Sequence, residues 1–213
     1  MSARPFTTVT VLATANLRGA VETLPRLATL ILRERRAATG LTLLLDLGDT
    51  CTPESWLCRV TQGRAPFLLL DAIGYDAAFI GGEDTPIPPG AFRRLRDRVV
   101  MPLFLWHRTS ELARREQLFA FAAGHATPPP DTPAFRITRD AALPAAEEAG
   151  TIVLGDVPAG HLRRVDIRWP EWTIAGTRTI ALEATEPPEP TISAVLDLVT
   201  EEAQFYAQQG GTV

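Results

Sequence analysis

The chain has 213 residues, 46% of them hydrophobic and 22% charged, which is enough for one fairly large domain with a real core. A formal net charge of -4 gives no bulk electrostatic case for nucleic acid or an anionic membrane. No stretch reaches the roughly 18 apolar residues of a spanning helix, and the absence of lysine excludes that residue as nucleophile, base or Schiff-base former.

Val9-Thr-Val-Leu-Ala13 is a short β-branched run that reads as the first strand, followed by a loop, Thr14-Ala-Asn-Leu-Arg-Gly19. Leu24, Leu27, Ala28 and Ile31 recur at helical spacing, with Pro25 tolerable in the first turn and Gly40 closing the segment. Leu41-Thr-Leu-Leu-Leu-Asp-Leu47 is an almost unbroken apolar run, the mark of a strand buried on both faces of a parallel sheet. It stops at Gly48-Asp49, where a carboxylate projects from the carboxyl end of the strand, the place where open α/β sheets hold ligands. Cys51 and Cys58 match no zinc spacing, and two thiols do not make a disulfide framework. With no apolar leader and cleavage site at the N-terminus, the expected setting is cytoplasmic.

Short helices are expected over Pro53–Val60 and Pro66–Ile73, then a strand over Asp76–Ile80 that breaks at Gly81-Gly82. A helix over Ala91–Arg98 precedes a fourth strand, Val99–Trp106, ending at His107. Beyond it, Glu111–Gln117 reads as helix and Leu118–Ala123 as strand, and Thr127–Pro133 is too rich in proline for regular structure. Thr151–Leu154, Leu162–Trp169 and Thr177–Ala184 read as strands, the last two as a hairpin turning at Ala175-Gly176. Trp169-Pro-Glu-Trp172 brackets a turn with two large rings and is a candidate exposed partner patch. Glu186-Pro-Pro-Glu-Pro190 is a stiff link to a final amphipathic helix carrying Ile192, Val195, Leu196, Val199 and Tyr206 on one face. The class is α/β, a sheet with helices on both faces, followed by a smaller β-rich part and a terminal helix. The divisions are a core over 1–126, a proline-rich loop over 127–133, and a β-rich remainder of the same domain over 134–213.

Three loops follow three neighbouring strands: Asn16-Leu-Arg18, Gly48-Asp49 and Gly81-Gly-Glu-Asp84. At these residues the sequence resembles the metallophosphoesterases, the calcineurin-like superfamily, and within it the 5′-nucleotidase branch. Leu12–Gly19 resembles the block that carries an Asp-x-His pair. Leu43–Thr50 resembles the block whose Gly-Asp supplies a metal-bridging aspartate, and Ala72–Asp84 the block that ends Gly-Asn-His-Glu. The similarity covers roughly residues 8–107. It implies the α/β fold of that superfamily and, in a complete site, two metal ions whose bound hydroxide attacks a phosphate ester.

The departures from that pattern alter what it implies. Asn16 and Arg18 stand where the resemblance places Asp and His, and a guanidinium cannot bind a cation. Gly82-Glu83 stands for Asn-His, so only Asp49 survives from the first three blocks. Gly124-His125 and Gly160-His161 each resemble half of a Gly-His-x-His. The fold is read as inherited and the metal centre as lost, with no cofactor expected and no catalytic role assigned. The former site loops are marked by Asn16, Arg18, Asp49, Glu83, Asp84 and His107. Arg18 is expected within salt-bridge reach of Asp49, Glu83 or Asp84, replacing the lost positive charge. The alternative is an active phosphoester hydrolase acting on a nucleotide or small phosphate through one Mg²⁺ or Mn²⁺ at Asp49, Glu83 and Asp84, with His107 nearby. For the non-catalytic reading the partner is an unknown protein or a second copy of the chain, with neither nucleic acid nor membrane involved.

Overall fold

The computed structural model describes residues 6–81, 87, 89–124, 126–127, 132–139, 145–148 and 150–209. Eleven strands and five α-helices are described. In chain order they are β1 (Thr8–Thr14), α1 (Leu24–Arg36), β2 (Leu41–Asp46), α2 (Trp56–Val60), α3 (Arg64–Ile73) and β3 (Ala77–Ile80). Then come α4 (Pro89–Arg96), β4 (Leu103–Leu105), β5 (Thr109–Arg114), β6 (Gln117–Ala123), β7 (Ala134–Ile137) and β8 (Ala145–Glu148). The last are β9 (Thr151–Leu154), β10 (His161–Arg168), β11 (Thr173–Ala181) and α5 (Pro190–Gln208).

The apolar run of β2 sits where its composition demands, inside a sheet ordered β11-β10-β1-β2-β3-β4. β1 to β4 are parallel, while β10 and β11 run antiparallel along the β1 edge. Because side chains alternate across a strand, each strand feeds two cores. Leu12, Leu44, Ala78 and Leu162 point to one face, where α1, α3 and α5 pack. Val11, Ala13, Leu43, Leu45, Phe79 and Val165 point to the other.

That other face is covered by a second sheet, ordered β5-β6-β7-β9-β8. Between the sheets Phe121 and Phe135 stack with centroids 5.2 Å apart, and Phe79 and Phe104 lie 6.1 and 5.6 Å from Phe121. Fully buried aromatic rings dominate this layer because they remove the most apolar surface per residue. The α/β class stands, with two sheets flanked by helices and a C-terminal helix; β5 and β6 together with β7, β8 and β9 supply the layer opposite α1, and β10 joins the first sheet directly.

Four expectations are corrected. Residues 109–114 form β5, a hairpin arm against β6, instead of the helix read over Glu111–Gln117; pairing with a buried strand overrides local propensity. The β10–β11 turn falls at Trp169–Trp172 and not at Ala175-Gly176; Gly176 pairs with Asp166 beside a register shift. The two tryptophans there turn inward, Trp169 against Phe6 and Trp172 against Phe119 and Phe135, so the exposed-patch reading of Trp169-Pro-Glu-Trp172 falls away. Cys51 and Cys58 form a disulfide, since the start of α2 folds back on the loop after β2 and brings their Cα atoms to 5.8 Å. The fourth strand is trimmed to Leu103–Leu105, and residues 128–131 of the proline-rich loop lie outside the described residues.

Replacing Phe121 by Ala opens a cavity that two sheets cannot close together, and should cost about 3–5 kcal/mol in urea unfolding. Leu118→Ala, on the same strand but exposed, should stay within about 0.5 kcal/mol of wild type.

Candidate functional site

Every parallel strand delivers its carboxyl end to one side of the molecule. From the first sheet come the loops after β1, β2, β3 and β4, and from the second those after β6, β7 and β9. The first two loops are laced together: the amides of Asn16, Arg18 and Gly19 donate to the carbonyls of Gly48, Asp49 and Thr50 at 3.0, 2.8 and 2.9 Å. Asn16, Arg18 and Asp49 hold left-handed backbone at φ of 56°, 48° and 53°, as does His107 after β4 at 62°. Such geometry costs on the order of 1 kcal/mol per residue, least for Asn, Asp and His, and it collects at sites whose surroundings fix the turn.

What fixes the turn after β2 is Asp46. Its side chain is wholly buried and accepts from Thr14 Oγ1 at 2.9 Å, Thr50 Oγ1 at 2.5 Å and the Gly48 amide at 3.2 Å. Thr14 continues the chain to the Tyr75 hydroxyl at 3.0 Å. Burial pushes the Asp46 carboxyl up to about 7; the three hydrogen bonds restrain the rise and the nearby Asp49 charge adds to it. Burial likewise raises the Tyr75 phenol. Asp46 is thus a positioning group, holding the strand-to-loop corner from which Asp49 projects.

Asp49 is nearly buried, and its Oδ1 accepts from Arg139 Nη2 at 2.8 Å. Arg139 follows β7 in the second sheet, and its guanidinium lies 5.0 Å from the centre of the Trp106 ring, within cation–π range. The Trp106 ring leans over Gly48 and Gly81. A Cβ on Gly48 would stand 3.0 Å from the indole nitrogen, and Gly48, at a φ of 113°, adopts a conformation closed to most other residues. That indole nitrogen is buried and has no hydrogen-bond partner among the described residues. His107 is exposed, its ring close over Gly124.

Asn16 is tied across to the second sheet as well. Its Nδ2 donates to both carboxylate oxygens of Asp156, at 2.8 and 3.0 Å, and to the Val157 carbonyl at 2.9 Å. Arg163, buried on β10, braces the same loop by donating to the Gly155 and Asp156 carbonyls at 3.0 and 2.7 Å; burial lowers its pKa.

The structure therefore brings Asn16 and Asp49 into one site, with His107 at its rim. Arg18 is exposed and makes no ion pair with a described residue; of its three expected partners only Asp49 is described, and that carboxylate pairs with Arg139 while the Arg18 backbone seals the loop. Glu83 and Asp84, like His125, lie outside the described residues. Arg139, Asp156, Asp46 and Trp106 were missed as site residues. Asp156 carried a signal, because Ile152-Val-Leu-Gly-Asp156 repeats the pattern of an apolar strand ending in Gly-Asp seen at Gly48-Asp49.

The described residues do not fit a divalent metal. Asp49 already faces a guanidinium, whose charge would repel an arriving cation. Among the described residues no three His, Cys, Asp or Glu side chains stand close enough together to hold an ion.

The parallel strands of two mixed sheets converge on one set of loops, and the solved structures that superpose on this chain, a calcineurin-like phosphoesterase among them, share that fold. The sulfate thiohydrolase SoxB of Thermus thermophilus matches 97% of this chain and 62% of its own, at 13% identity and a TM-score of 0.65. The NAD nucleotidase NadN of Haemophilus influenzae matches 94% of this chain and 61% of its own, at 8% identity and a TM-score of 0.69. The calcineurin-like phosphoesterase YfkN of Bacillus subtilis matches 96% of this chain and all of its own chain in that structure, at 10% identity and a TM-score of 0.62. The chain thus spans about three fifths of the SoxB and NadN chains. No family model matches the sequence, and no curated protein matches it.

A carboxyl with a folded pKa of about 7 and an ordinary value of 3.8 favours the folded state most below pH 4, and that contribution is lost as pH rises through 7. Urea unfolding of wild type and Asp46→Asn at intervals from pH 4 to 8 should show wild type losing stability relative to the variant, by on the order of a few kcal/mol. A difference that stays flat over that range would contradict the assignment.

Proposed function

We propose that this chain is a metallophosphoesterase-fold protein that binds rather than hydrolyses, its metal position taken over by the guanidinium of Arg139. The observation that carries this reading is the 2.8 Å pair between Arg139 and Asp49, braced by the Trp106 ring. A divalent cation at Asp49 would neutralise its charge and polarise a phosphate ester; a guanidinium neutralises the same charge but generates no hydroxide. The role is that of a binding, regulatory or assembly component, with a protein or a second copy of the chain as partner. No helix among the described residues is long and apolar enough to cross a membrane. The Cys51–Cys58 disulfide supports an oxidising compartment over the cytoplasm expected from the sequence, because cytosolic thiols are kept reduced.

Purified protein given an aryl phosphate or nucleoside monophosphates with Mn²⁺, Co²⁺ or Mg²⁺ should show no turnover above a protein-free control, and Asp49→Ala should change nothing. Metal-dependent turnover that Asp49→Ala abolishes would establish the other reading, a phosphoester hydrolase with a rewired site built on Asp49, Glu83 and Asp84.

A further inference from the structure

At the opposite end of the first sheet, below the amino-terminal ends of β2 and β3, an open cleft of about 450 Å³ is lined by Arg35, Arg114, Arg115, Asp76, Gly40 and Thr42, among others. Three elements converge there. Arg35 comes from the last turn of α1, Asp76 from the residue before β3, and Arg114 with Arg115 from the turn of the β5–β6 hairpin in the second sheet. The charges do not balance. Asp76 is buried, and its carboxylate accepts from the Leu44 amide at 2.7 Å and from the Arg114 guanidinium, with Arg35 Nη2 at 3.9 Å. One carboxylate thus serves two guanidinium groups, and Arg115, exposed at the hairpin tip, makes no ion pair with a described residue. Arg35 Nη2 also donates to the Gly74 carbonyl at 2.6 Å, which fixes the guanidinium at the cleft wall. Burial lowers the Arg35 pKa, and the Arg114 charge lowers it further, as expected of like charges held together.

A concave surface carrying a surplus of guanidinium groups, in a chain of net charge -4, departs from the even mixing of signs that keeps a surface inert. Guanidinium forks match the geometry of a tetrahedral oxyanion, and the Thr42 side chain offers a further hydroxyl in the wall. We infer that this cleft is an anion-binding site, independent of the loops around Asp49, that takes a small phosphate-bearing molecule with Arg35, Arg114 and Arg115 as its contacts. The buried Asp76 then acts as the anchor that holds Arg114 and Arg35 facing the ligand.

The test is calorimetry of the full chain with pyrophosphate at low ionic strength, with inorganic phosphate and citrate as comparison anions. Pyrophosphate should bind with an affinity that falls steeply with added salt, and more tightly than citrate. Arg115→Ala should weaken binding about tenfold, and Arg115→Glu should abolish it; this exposed turn residue can be changed without disturbing the core, which circular dichroism checks. Arg59→Ala, an exposed change on α2 away from the cleft, should leave the affinity unchanged. No heat with millimolar pyrophosphate, equal affinity in wild type and Arg115→Glu, tighter binding of citrate, or loss of binding in Arg59→Ala would each overturn the inference.

Discussion

The ion pair between Asp49 and Arg139 joins the two sheets at the point where their strand ends meet, and the local architecture depends on it. Asp49 extends from a corner that offers its carboxylate little water. Left alone, that charge would be costly to bury, and the structure answers with a fixed cation from the facing sheet, spread over the face of Trp106. A guanidinium suits the position better than an ammonium would, because its flat surface lies against a ring while its edge donates to a carboxylate. The same geometry makes the site self-neutralising: an arriving cation would have to displace a side chain already tethered at both ends.

Behind that pair lies a second tier with no role in charge display. Asp46, Thr14, Thr50 and Tyr75 form a closed polar chain in the middle of an apolar sheet, and every partner of the carboxyl is a neutral donor. Neutral donors favour the ionised acid only in part, so desolvation by burial still decides the direction of its pKa. The chain ties β1, β2 and the residue before Asp76 to one another at the depth where the loops begin. The strained backbone at Asn16, Arg18 and Asp49 is over-determined from below by this network and laterally by the amide–carbonyl lacing between the two loops.

Legibility in the sequence divides along the same lines. The first sheet was readable because each parallel strand is apolar on both faces, and the stops at Gly48-Asp49 and Gly81 are sharp. The second sheet was readable only in β6 and β9; β5 holds only one buried side chain, Leu112, and looks helical until β6 is beside it. Asn16 and Asp49 were found through their place at strand ends and their resemblance to known blocks. Arg139 could not be found that way. It follows a four-residue strand, one arginine in a chain where arginine is the only permanent cation, and nothing nearby in sequence announces that β7 lies opposite β2. The disulfide was hidden for a similar reason: a spacing of seven becomes a bridge only when a serine-capped turn of helix doubles back on the loop.

The two ends of the first sheet carry opposite solutions to one electrostatic problem. At the carboxyl end the described acid Asp49 meets the guanidinium of Arg139, while Asp156 accepts from the neutral Asn16 amide and keeps its charge. At the amino end Asp76 is outnumbered by Arg35 and Arg114, with Arg115 beside them. Parallel strands give no large dipole of their own to explain the difference. It arises from the hairpin of the second sheet, whose turn reaches across the layer boundary and delivers two guanidinium groups to a place where one would have satisfied the buried carboxylate. The hairpin that completes the second sheet therefore leaves uncompensated positive charge at the amino end, where no resemblance to known blocks directs attention.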